Sequence, residues 1–105
     1  MANESVAAQV GQAWFHHRQG NNDAAIDQFG RILRSNPDSI DANYGLGLAN
    51  RAAGNYQAAS EAFGRALELT DKAEATSQEE RDRYLMLSRM IRQRLEEIKA
   101  ATASG

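Results

Sequence analysis

Apolar residues in this chain recur at helical spacing. Ala25, Phe29, Ile32 and Leu33 fall at i, i+4, i+7 and i+8, which is one face of a helix. Ala59, Phe63, Ala66 and Leu67 repeat that face 34 residues later. The surrounding segments, Gly20–Ser35 and Gly54–Leu69, agree at eight of sixteen positions: Gly20/Gly54, Asn21/Asn55, Ala24/Ala58, Ala25/Ala59, Phe29/Phe63, Gly30/Gly64, Arg31/Arg65 and Leu33/Leu67. A fixed period of this size marks a stack of short units, each burying its apolar face on the next. Such stacks present surfaces and rarely carry catalytic groups.

Local punctuation predicts five helices. The first runs from about Glu4 to Arg18 and ends at Gly20, the residue type that closes a helix in the left-handed conformation. The second runs from about Asp23 to Arg34, with Asn22 placed to cap it and Pro37 to end it. The third spans about Ser39–Ala53 and is closed by Gly54; the fourth spans about Tyr56–Leu69. A polar stretch, Thr70–Thr76, precedes a fifth helix that opens at Ser77, with Glu80 at capping-box spacing, and continues to about Ala100. The expected organisation is a single all-α domain. Its parts are a helix pair over 4–37, a second over 38–70, a linker at 71–77, a long capping helix over 78–100 and a disordered tail at 101–105. Short links make consecutive helices antiparallel neighbours.

Composition narrows the function. The chain has 105 residues, a net charge of −2 and no cysteine. That excludes a disulfide frame and gives no global attraction to nucleic acid or an anionic membrane. No apolar run reaches the length of a membrane span, and MANESVAAQV lacks the layout of a signal peptide. A cytoplasmic location is the default expectation.

No catalytic constellation emerges. His16 and His17, the only histidines, are adjacent and point about 100° apart on a helix, so they cannot share a metal as an i, i+4 pair can. Ser60 and Ser88 have no histidine partner recognisable in the sequence. Gly11, Gly45 and Gly47 sit inside helices and form no phosphate loop. Neither an enzyme nor a cofactor is expected.

The second unit reads Tyr44, Leu46-Gly47, Gly54-Asn55-Tyr56, Ala59, Phe63, Ala66-Leu67. It resembles the tetratricopeptide repeat, a two-helix unit of period 34 with LG, GxY, A, F and AL at these offsets. The first unit matches in its second half (Gly20, Ala25-Ile26, Phe29, Leu33 and Pro37) but has Gln12-Ala13 where Leu-Gly is usual. The second ends in Thr70-Asp71 where Asp-Pro is usual. In the fifth helix, Tyr84, Leu87, Ser88 and Ile91 hold the spacing of the opening of a third unit, displaced by an insertion at Asp71–Ser77. Small Gly47 and Ala59 are expected to let the helices of a unit approach closely, and Phe63 and Tyr56 to fill the space toward the next.

The resemblance implies a helical-repeat solenoid acting as a non-catalytic interaction module or assembly adaptor. Its partner is another protein or peptide, held in a concave groove lined by the first helix of each unit. The groove slots carry over to Val10, Trp14, His17 and Arg18; to Asp41, Tyr44, Leu48 and Arg51; and to Asp82, Leu85, Arg89 and Arg92. They make an apolar strip with aromatic anchors and an arginine-lined side suited to carboxylates. Family members that clamp the C-terminal carboxylate of chaperone tails use Lys, Asn and Arg; the slots here hold Val10, Trp14, Gly45, Asp82 and Met86, so that subclass is excluded. An alternative rests on the fifth helix. Its stripe Tyr84, Leu87, Ile91, Leu95, Ile98 is longer than its neighbours, so Leu95 and Ile98 are expected to overhang and to join two copies of the chain, with Met86 and Met90 on an adjoining face.

Overall fold

The computed structural model describes residues 5–103. It has five helices and, among the described residues, no strand: α1 (Val6–Arg18), α2 (Asn22–Ser35), α3 (Ile40–Ala52), α4 (Tyr56–Lys72) and α5 (Gln78–Ala103). Each helix packs on the next in chain order, and α1 also touches α3.

The serine caps explain three of the starts. Ser5 Oγ accepts from the Ala8 N–H, Ser39 Oγ from the Ala42 N–H and Ser77 Oγ from the Glu80 N–H, each at 3.1 Å. Ser39→Ala is expected to cost about 1 kcal/mol, read as a lowered urea midpoint with an unchanged slope. The turns into α2 and α4 work differently. Gly20 and Gly54 adopt φ of 77° and 84°. In the first turn Gly20 N–H reaches His17 O and Asn21 N–H reaches His16 O; the second repeats this with Arg51 and Asn50. These bonds satisfy the last carbonyls of the preceding helix. Asn22 is therefore not a cap: α2 begins at Asn22 itself, and Asn21 before it makes no capping bond.

Two apolar clusters form the core. The first joins Ala13, Ala25, Phe29, Ile32, Ala42 and Ala49. The second joins Ala59, Phe63, Ala66, Ile91 and Ile98. Helix α3 separates them and is thin on both flanks. Gly45 lies under the Phe29 ring of α2, and a Cβ on Gly47 would stand 2.6 Å from the Phe63 ring of α4. Phe63 fills the space beside Gly47, and Tyr56 lies toward α5, beside Leu95 and Ile98, while remaining 39% exposed.

Helices α4 and α5 run past their expected ends. Helix α4 continues to Lys72, with buried Thr70 donating its hydroxyl to Ala66 O at 2.7 Å. Helix α5 continues to Ala103, so Ala101–Ala103 are helical; the last two residues of the expected tail, Ser104 and Gly105, lie outside the described residues, as does the expected start at Glu4.

The register of α5 overturns the overhang. Asp71, near the end of α4, accepts from Ser88 and Arg92 of α5, each at 3.2 Å. At the other end Leu95, Ile98, Lys99 and Thr102 lie beside Tyr56, Gln57 and Ser60. Ile98 is only 3% exposed, and Leu95 packs on the same cluster. Ile98 is therefore buried against α4 and does not overhang, and Leu95 is half-buried. At the opposite end Tyr84, Leu85 and Ser88 lie beside Thr70 and Asp71 of α4 and Ala73 and Ala75 of the link, and Leu85 and Met86 are 55% and 65% exposed. The three extra residues of α4 and the link 73–77 slide α5 along its neighbour, which a comparison of helix lengths does not reveal.

Candidate functional site

The first helices of the units, α1 and α3, lie side by side, and α5 joins the same layer. Trp14 of α1 meets Tyr44 of α3 with ring centroids 6.5 Å apart. Arg51 of α3 pairs with Glu97 of α5 at 2.8 Å.

Within α1, Val10 and Trp14 pack on the first core cluster. The Trp14 ring stands edge-on to Phe29 at 5.3 Å and to His17 at 5.9 Å. Trp14 is therefore a wedge between α1, α2 and α3, not a free anchor. His17 is half-buried, and its Nδ1 is enclosed without a hydrogen-bond partner. Arg18 is exposed at the end of the helix.

Helix α3 contributes as its spacing predicts. Gly45 faces α2 and Gly47 faces α4, so the side between them carries Asp41, Tyr44, Leu48 and Arg51. Tyr44 and Leu48 are half-buried on the second cluster, with Tyr44 tilted on Phe63 at 5.5 Å. Arg51 is not a bare cation. Glu97 accepts from it, and the same carboxylate lies 3.2 Å from Arg94 Nε.

Helix α5 is rotated relative to the expected alignment. Arg92 pairs with Asp71 of α4 at 3.2 Å, so it points to the flank away from Glu97 and α3. Asp82, Leu85 and Arg89 share an open hollow with Met86. Half-buried Tyr84 and Leu87 and buried Ile91 correspond to Ala42, Gly45 and Ala49 of α3, an offset one residue longer than the motif alignment uses. One residue is about 100° on a helix. The α5 positions equivalent to Tyr44 and Leu48 are thus Met86 and Met90, on the same flank as Glu97. Both are exposed. Arg92 is turned toward Asp71 of α4, and Leu85 and Arg89 are exposed beside Met86. The signal that identifies Met86 and Met90 is the buried stripe itself. With Leu87, Ile91, Leu95 and Ile98 packed on the second cluster, both methionines fall on the flank of α5 that carries Glu97.

Ser88 is engaged with Asp71 and Arg92, and both histidines sit on α1. Among the described residues no group of three His, Cys, Asp or Glu is placed to hold a metal ion, and no helix is long and apolar enough to cross a membrane.

Antiparallel helix pairs stacked through glycine–phenylalanine contacts, with one helix layer left facing outward, define a helical-repeat interaction scaffold. A family model of the tetratricopeptide repeat matches residues 11–74. The chain belongs to the tetratricopeptide repeat family. No curated protein and no solved structure gives a match. Repeats of this family generally mediate protein–protein interaction and are generally non-catalytic. Helix α5 lies beyond the matched residues, in keeping with its shifted register.

Proposed function

We propose that this protein is a non-catalytic assembly adaptor that binds a peptide or helix of another protein across the layer formed by α1, α3 and α5. What supports this reading is that Met86 and Met90 are exposed on the flank of α5 that carries Glu97, the partner of Arg51 on α3, while Tyr44 and Leu48 of α3 are half-buried on the core. Tyr44 and Leu48 are held rigid by the core and supply a floor. The methionines are unbranched and adapt to an apolar partner side chain. Arg18 and Asp41 at the α1 side, and the Arg51–Glu97 pair at the α5 side, give polar edges that set register.

The double variant Met86→Glu, Met90→Glu tests the reading. Both side chains are exposed, so thermal unfolding should match the wild type. Affinity for a partner recovered from the native source and identified by mass spectrometry should fall at least tenfold. Glu61→Lys, on the exposed outer side of α4, should leave that affinity unchanged. Equal binding by the methionine variant and the wild type would reject this layer as the binding face.

A further inference from the structure

Helix α1 is apolar nearly all round. Val6–Phe15 reads VAAQVGQAWF, without a charged residue, in a chain that is 25% charged. A helix of this kind is expected to be buried on every side. Here Ala13 alone is buried, while Phe15 is 52% exposed and Val6 is exposed as well.

The repeat shows what that exposed side is. Ala8, Gly11 and Phe15 of α1 correspond to Ala42, Gly45 and Ala49 of α3, 34 residues later. In α3 these three residues seat the preceding helix, and Phe29 lies directly on Gly45. In α1 nothing among the described residues lies within 4 Å of a Cβ built on Gly11. The contact that joins α2 to α3 thus continues onto the outer face of α1, where its socket is open.

Phe15 decides the occupant. It stands where α3 has alanine, so the stripe runs small, small, large. Such a stripe is complementary to its own reverse. Two α1 helices crossing antiparallel, with a two-fold axis near Gly11 and Gln12, set Phe15 of each copy over Ala8 of the other. The Arg18 side chains then lie at opposite ends of the contact. The apolar faces of α2 and α4 are consumed in the core. Helix α5 carries Arg89 at the position of Gly47, which bars a close helix there.

We infer that the outer face of α1 binds a second copy of this chain, forming a two-fold dimer through Ala8, Gly11 and Phe15. Met86 and Met90, on α5, lie outside that contact.

Sedimentation velocity over a concentration series tests this. The wild type should dimerise reversibly. Phe15→Glu should raise the dimer Kd at least tenfold, without lowering the melting temperature of the dilute protein. Gly11→Leu, which fills the socket in open space, should do the same. Leu85→Glu and the Met86→Glu, Met90→Glu variant should dimerise like the wild type, so this inference and the proposed partner site fail or stand separately. A wild type that stays monomeric throughout would overturn it. So would a Phe15→Glu variant that associates normally, or a dimer lost on Leu85→Glu.

Discussion

Trp14→Ala should lower stability by about 3 kcal/mol, the lower end of the range for deleting a large aromatic side chain from a core. The lower end applies because Trp14 is half-buried. Its ring closes the seam where α1, α2 and α3 meet, against Phe29, His17 and Tyr44. Deletion leaves a gap that three helices border, and none can collapse into it without losing its other contacts. For a chain of this size the loss corresponds to a fall of roughly 12–24 °C in melting temperature. Circular dichroism during heating measures it. If Trp14 were a solvent-facing anchor for a partner, the change would stay within about 0.5 kcal/mol, and the wedge assignment would be wrong. Trp14→Ala is accordingly unsuitable as a binding-only variant; Met86 and Met90 serve that purpose.

Gly45→Ala and Gly11→Ala should change stability in opposite directions, although the repeat aligns the two glycines. Alanine is the better helix former by roughly 1 kcal/mol. At Gly11 the new methyl meets nothing within 4 Å, so the gain of about 0.5–1 kcal/mol remains. At Gly45 the methyl enters the space of the Phe29 ring. That ring is fully buried and edge-on to Trp14, so it cannot swing aside. Overpacking of this kind costs roughly 1–3 kcal/mol, occasionally more, and Gly45→Ala belongs at or above the top of that range. Urea titration of both variants at a dilution that keeps the protein monomeric measures the difference. A Gly45→Ala midpoint equal to or above the wild type would show that α2 and α3 do not approach as closely as the structure has them.

Much of the architecture is legible in residue order because helices obey local rules. Ser39 and Ser77 mark starts, Gly20 and Gly54 mark turns, and the Phe29/Phe63 echo marks the period. The face of α3 follows directly, since Gly45 and Gly47 are the places where two neighbours press in, leaving Tyr44, Leu48 and Arg51 on the remaining side. The face of α5 is less legible, for a specific reason. Its residues fit two alignments one position apart. Motif spacing prefers Leu85, Arg89 and Arg92, whereas burial prefers Met86 and Met90.

By itself, then, the sequence determined which residues share a helix face and that two such helix pairs stack as tetratricopeptide repeats. Both follow from periods of 3.6 and 34 residues, which are properties of the chain alone. Only the tertiary structure decided how far α5 slides along α4, which flank of it meets α3, and that Trp14 and Ile98 turn inward. Sliding and rotating a helix leave its internal hydrogen bonds intact. The outcome therefore rests on contacts between side chains far apart in sequence, such as Arg51 with Glu97 and Arg92 with Asp71.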